Sequence, residues 1–208
     1  MAEENLEYPE EKKKSPLIYF IAVFLILILI LWIIPSYAIK FDENPRNIPK
    51  ISEFNITIKN YERLNYSSIQ DLYLAVSTNN PELRDLSSSV AVSSCKRGQN
   101  VCFAKAIYNF VRDNIEYVND PVGKEYIEHP LQVLSTRAAD CESGSVLLVS
   151  MLGSIGIEAD FVFNPGHVFV KIPMPDAQKR YKRNGDNVYL DWTCGDCEFG
   201  ELPQKDKI

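Results

Sequence analysis

Hydrophobic and polar positions divide the chain into stretches of different period. Leu17 to Ile34 is apolar at all eighteen positions and holds no charge. At 1.5 Å per residue the run reaches about 27 Å, enough to cross the hydrocarbon core of a bilayer, so it predicts a transmembrane helix. Residues 1–16 form a short polar tail before it. Residues 35–50, with Pro45 and Pro49, form an extended linker after it. From Glu53 to Lys59 the alternation of Phe54, Ile56 and Ile58 predicts a strand with one buried face. Ser67 or Ser68 is placed to cap a short helix through Leu72 and Leu74. Asn80-Pro81-Glu82 combines a capping side chain with proline at the first helical position, and predicts a helix to about Ser94. Ala104, Ile107, Tyr108, Val111 and Ile115 recur at three- and four-residue steps, which predicts an amphipathic helix ending near Tyr117.

Residues 120–140, with Pro121, Gly123 and Pro130, read as irregular. After Cys141 the residues Val146, Leu147, Leu148, Val149, Met151 and Leu152 surround the helix axis on nearly every side. That girdle predicts a helix buried in the middle of a domain, with Gly153 and Gly156 at its C-terminal end. Beyond it the period changes to two. Ile157–Phe163, His167–Ile172 and Asn187–Thr193 are three predicted strands. Asn164-Pro165-Gly166 turns between the first two, and residues 173–186 form a polar, basic loop. Helices followed by an antiparallel sheet make an α+β arrangement.

Composition adds limits. The chain has 208 residues and a formal net charge of −6. Without residues 1–38 it keeps 19 basic against 23 acidic side chains. A mildly acidic domain with no basic stripe gives no reason to expect nucleic acid as a partner. Residues 51–208 suffice for one domain with a real core. Lys12-Lys13-Lys14 before the apolar run places the N-terminus inside and the domain outside, although Lys40, Arg46 and Lys50 follow the run. Ser36-Tyr37-Ala38 has the form of a signal peptidase site, but the run is longer than a usual signal core, so a retained single-pass anchor is expected. The sequons at Asn55 and Asn65 are compatible with an exterior domain.

The five cysteines group as Cys95 with Cys102 and Cys194 with Cys197, leaving Cys141 alone. In an oxidising compartment that means two disulfides and one free thiol. A four-thiolate zinc site and a redox pair at Cys194-x-x-Cys197 are the alternatives. His129 and the basic run Lys179-Arg180, Lys182-Arg183 read as solvated loop residues.

A free thiol ionises only near pH 8.5, so a cysteine nucleophile needs help. Cys141 falls where the buried helix begins, and a helix N-terminus favours a thiolate. A histidine against the sulfur does more, provided a carboxylate fixes its ring. His167 opens one strand and Asp191 lies near the end of the next, so neighbouring antiparallel strands can bring both to the start of the helix.

These residues resemble the transglutaminase-like superfamily. The chain reads Asp140-Cys141-Glu142, Gly156-Ile157-Glu158-Ala159, Gly166-His167-Val168-Phe169-Val170 and Leu190-Asp191-Trp192-Thr193 in the family's order. Upstream, Asn114-Ile115-Glu116-Tyr117 is similar to the helix end that precedes the site, and Pro130 through Val133-Leu134 and Arg137 to the approach to the nucleophile. The likeness spans about residues 80–193. Ala139 stands where the family usually has glycine, and Ser143 where it often has an acid. The resemblance implies a papain-like core, with a cysteine-bearing central helix packed on an antiparallel sheet and preceded by helices. It implies Cys141 as nucleophile, His167 as general base and acid, and Asp191 as orienting carboxylate, with no cofactor and no metal. The expected chemistry is acyl transfer or hydrolysis at amide bonds of a protein or peptide through a cysteine thioester. The alternative is a silent domain of the same fold that binds peptide or envelope components.

Overall fold

A computed structural model of the chain describes residues 15–37, 44–54, 68–96, 99–121, 123 and 126–203. Most of the predicted strand 53–59, the candidate cap Ser67, both sequons, Lys40 and residues 1–14 lie outside the described residues. The chain divides into two units, Met1–Phe41 and Asp42–Ile208. The first contains helix α1 (Pro16–Tyr37), which continues three residues past the predicted end at Ile34. From Leu17 to Ile33 every residue of α1 is exposed. It is the one helix among the described residues long and apolar enough to cross a membrane.

The second unit mixes helices and sheet. A 3-10 turn at Ile51–Glu53 holds Glu53, where a strand was expected to begin. Helix α2 (Ile69–Ala75) starts after Ser68, whose N–H donates to the Asp71 carboxylate at 2.8 Å. In α3 (Pro81–Ser94) the Asn80 side chain accepts the Leu83 N–H at 3.0 Å, as the Asn-Pro pair predicts. Helix α4 (Asn100–Asn114) stops earlier than its apolar period suggested. Asn114 ends it by donating to the Phe110 carbonyl at 2.9 Å and accepting the Ile51 N–H at 2.8 Å. The chain then becomes extended, and strand β1 (Glu116–Tyr117) pairs in parallel with β2 (Ala138–Ala139).

The stretch read as irregular contains a further helix, α5 (Pro130–Thr136). His129 caps it, Nδ1 accepting the Leu131 N–H at 3.2 Å, so this histidine is a half-buried cap and not a solvated loop residue. Burial holds its pKa below the usual histidine range, in keeping with a ring nitrogen that accepts.

Helix α6 (Cys141–Ser154) is the buried helix the girdle predicted. Gly144 lies where a Cβ would come within 2.1 Å of the Trp192 ring, so the indole sits directly on the helix backbone. Gly156, at φ +82°, lets the chain leave, with the Ile157 N–H returning to the Leu152 carbonyl at 3.0 Å.

Strands β3 (Asp160–Asn164), β4 (His167–Pro173), β5 (Lys182–Arg183) and β6 (Asn187–Leu190) form an antiparallel sheet in the order β3-β4-β6-β5. Gly166, at φ +73°, closes the turn between β3 and β4, and Asn164 pairs with His167. The basic loop therefore carries an edge strand, with Lys182 Nζ held by the Pro175 carbonyl (2.7 Å) and by Asp186 (2.6 Å). Val168, Val170 and Ile172 of β4 join the main core with α6, whereas Phe169 packs with Tyr189 and Leu202 in a second cluster. Cys95 and Cys102 stand at disulfide distance, 2.03 Å, as do Cys194 and Cys197 at 1.95 Å. Among the described residues the four form no common metal-binding cluster. Cys141 is free.

Candidate active site

Two local features set the position of Cys141. Asp140 caps α6 by accepting the Ser143 N–H at 2.8 Å, which makes Cys141 the first residue of the helix. Ser143 faces back, its hydroxyl accepting the Glu128 N–H at 3.0 Å and donating to the Tyr126 carbonyl at 3.4 Å. The serine that departs from the family pattern thus ties α6 to the segment before α5. Ala139, the other departure, is a β2 residue paired with Tyr117.

His167 opens β4 and Asp191 follows β6, the neighbouring strand. Asp191 does not continue that strand. Its Oδ1 accepts the Thr193 N–H at 3.1 Å and the Thr193 hydroxyl at 2.7 Å, which turns the chain away. Its Oδ2 lies 2.9 Å from His167 Nε2. Asp191 is wholly buried and the His167 side chain is 11 % exposed. Burial pushes the Asp191 carboxyl up, yet the His167 and Thr193 donors outweigh it and leave the pKa below the usual value. An ionised carboxylate can only accept, so Nε2 carries the ring hydrogen and Nδ1 is the basic nitrogen of the neutral ring.

The residue after His167 lies close enough to act on the sulfur: the Val168 backbone amide works to lower the Cys141 pKa. The Ser145 hydroxyl donates to the Val168 carbonyl at 3.4 Å, a second link from α6 to this point of β4. The sequence brought Cys141, His167 and Asp191 into question together. The structure joins the last two directly and ties the helix that begins at Cys141 to β4 one residue from His167.

The resting thiol differs from the expected easy thiolate. Burial raises its pKa, the Glu142 carboxylate raises it further by accepting the S–H at 2.7 Å, and the Val168 amide works in the opposite direction; the result is pushed up to about 12. Asp140 is likewise pushed up to about 7, by burial against the pull of the Ser143 amide.

Three neighbours escaped the sequence analysis as site residues. Trp192 is buried beside Asp191, and its Nε1–H points at the Cys141 carbonyl at 3.5 Å. Tyr117 is 44 % exposed, with its ring 6.1 Å from that of Trp192. Its pKa is raised first by burial and then by Cys141, Asp140, Glu142 and Asp191, which places it in the field of the same groups. Glu142 is the third. Trp192 and Tyr117 both stood inside quoted motifs, so position in the motif was the available signal. Nothing in the sequence could show which way the Glu142 side chain turns.

Residues 89–178 match the family model described as the transglutaminase-like superfamily. The match takes in α4, α5, α6, β3 and β4, and so Cys141 and His167, while Asp191 lies beyond its end. No curated protein and no solved structure matches the chain.

Proposed function

We propose that the chain, whose residues 89–178 match the transglutaminase-like superfamily, is a membrane-anchored thiol enzyme acting on amide bonds of peptides or glutamine side chains, with Cys141, His167 and Asp191 as its triad. The observation that carries this reading is the 2.9 Å contact between His167 Nε2 and Asp191, on a strand that Ser145 ties to the cysteine-bearing helix at the next residue.

Cys141 Sγ attacks the amide carbonyl while its proton passes to His167 Nδ1. The tetrahedral adduct collapses as the imidazolium returns that proton to the leaving nitrogen, which gives a thioester and a free amine or ammonia. Water, or a second amine, then gives up a proton to Nδ1, attacks the thioester and releases the thiol. Asp191 keeps Nε2 protonated and stabilises the imidazolium, while Thr193 holds Asp191. Trp192 and Cys141 are both buried. Helix α1 serves as a retained anchor. The domain lies outside the membrane, in keeping with the lysines before α1 and with two cysteine pairs at disulfide distance.

The resting proton on the thiol gives some weight to the second reading, a silent domain that binds peptide or envelope components. The two separate in one experiment. The full chain in detergent is incubated with a mixed pool of glutamine- and lysine-containing peptides and hydroxylamine, which converts thioesters to hydroxamates. The enzyme forms hydroxamate and an acyl adduct on Cys141, Cys141→Ala forms none, and His167→Ala loses on the order of 10²–10⁴ in rate. Hydroxamate from Cys141→Ala at the wild-type rate, or none from any form of the chain, would overturn the proposal.

A further inference from the structure

Glu142 stands beside the nucleophile and has no part in the reaction just described. Its Oε2 lies 2.7 Å from Cys141 Sγ. A carboxylate at that distance favours the protonated thiol, which opposes nucleophilic attack until something neutralises the carboxylate. The protein does not do so from its described residues. Asp140 precedes the thiol. Asp120 and Glu128 belong to the adjoining segment, Asp120 accepting the Tyr126 N–H at 2.6 Å and the Glu128 N–H donating to Ser143. Among the described residues no lysine or arginine forms an ion pair with Asp120, Glu128, Asp140 or Glu142. Exposed Tyr117 lies in the field of Cys141 and Glu142 and leans on Trp192. Carboxylates and accessible aromatic rings each attract ammonium and guanidinium groups.

We propose that Glu142 determines specificity, selecting acyl donors that carry an ammonium or guanidinium group close to the scissile carbonyl. The inference rests on the thiol chemistry proposed above. The incoming cation pairs with the Glu142 carboxylate and withdraws it from the S–H. The thiol proton then passes to His167 Nδ1, and the sulfur attacks. A neutral donor meets a thiol still bound to Glu142, and an anionic donor is repelled as well. The charge that identifies the substrate is thus the one that frees the nucleophile.

Because Cys141 is the one free cysteine, charged thiol reagents test this without a known substrate. The full chain in detergent is treated with methanethiosulfonates bearing trimethylammonioethyl, methyl or sulfonatoethyl groups. Each rate is divided by that of the same reagent with 2-mercaptoethanol, and the adduct is located by mass. Normalised rates fall in the order cation, neutral, anion, with cation ahead of anion on the order of tenfold or more. Glu142→Gln, which keeps the side-chain shape, brings the ratio toward one and speeds the neutral reagent. Glu142→Asp keeps the cation first. A normalised ratio near one in the wild type, or an unchanged ratio in a Glu142→Gln chain with wild-type circular dichroism, overturns the inference. His167→Ala separates the two levels: if all three rates are unchanged in it, the acyl-transfer mechanism falls, whereas the charge ratio is decided by Glu142 alone.

Discussion

Helices α1 and α6 both lack an amphipathic face, and their surroundings are opposite. In α1 every residue from Leu17 to Ile33 is exposed, and in α6 all but Glu142 and Gly153 are buried. The difference is already present in the polar residues each can hold. Helix α1 has only the Tyr19 hydroxyl and the Trp32 indole N–H in its run. Helix α6 carries four serines, and each has a named partner. Ser143 bonds to Glu128 and Tyr126, Ser145 to Val168, Ser150 accepts the Ser77 N–H at 2.9 Å, and Ser154 donates to Met151 at 2.7 Å. A helix in lipid gains little from polar side chains, because nothing around it can satisfy them. A helix inside a protein can keep them where a neighbouring backbone answers. Hydrophobicity on all sides therefore does not by itself separate a helix suited to lipid from one suited to a protein core. The partnered hydroxyls mark α6 as a helix of the protein interior.

The same substitution in both helices should produce the largest effects and break the likeness. Leu147 is fully buried in α6. An arginine there is an unpaired charge in the core, so Leu147→Arg should cost more than about 4 kcal/mol and leave the domain unfolded by urea titration. Leu27→Arg in α1 should move the domain's unfolding midpoint by no more than about 0.5 kcal/mol equivalent. It should instead release chain from membranes under alkaline carbonate, since a central arginine opposes insertion by about 3 kcal/mol. If Leu27→Arg unfolded the domain while leaving the chain in the membrane fraction, α1 would be a core helix and the anchor assignment would be wrong.

Much of this contrast was legible in the sequence, and the limits have physical reasons. Helix α3 was readable because Asn80 and Pro81 satisfy its first turn locally, and the β3–β4 turn because Gly166 supplies a left-handed residue between two strands of period two. The order of Cys141, His167 and Asp191 pointed to strands that prove to be neighbours. Helix α5 was missed because seven residues give too few turns for a period to emerge, and its cap is a histidine instead of the usual serine, threonine or aspartate. Strands β1 and β2 are two residues each and pair across α5, so no local pattern could announce them. The hold of Glu142 on the thiol depends on a side-chain rotamer and is invisible to spacing.

A smaller effect sharpens the account of how α6 is positioned. On propensity alone Gly144→Ala should stabilise a helix by about 1 kcal/mol. The new methyl would meet the edge of the Trp192 indole at 2.1 Å. Trp192 is buried and its Nε1 faces the Cys141 carbonyl, so the ring has no free direction in which to retreat. Overpacking of this kind costs about 1–3 kcal/mol and should outweigh the propensity gain. The expected result is a net loss of stability together with slower labelling of Cys141, read on the same sample. Stabilisation with unchanged labelling would show that Trp192 does not set the start of α6.

The smallest effect concerns the charged end of α6, a feature α1 lacks. Asp140 has a folded-state pKa of about 7, above its ordinary value of 3.8, because burial disfavours the carboxylate more than the Ser143 amide favours it. The sign follows from proton binding. Between those two values the folded protein keeps a proton that the unfolded chain has released, so stability falls as pH rises through the window and levels off above about 7. Asp191 works the other way: its folded pKa lies below 3.8, and its contribution is present above that value and lost only on further acidification. Glu128 is raised by burial and shares the direction of Asp140. Asn is as good an N-cap as Asp. Asp140→Asn should therefore keep α6 capped, flatten the decline in Tm between pH 4 and 7 without abolishing it, and raise Tm at pH 8 by roughly 3 °C or more. A steeper decline in the variant would mean that Asp140 is ionised in the folded protein, and that the N-terminus of α6 stabilises charge more strongly than burial opposes it. An ionised Asp140 would also oppose ionisation of Cys141 one residue on, and would strengthen the case for a thiol that waits on a cationic substrate.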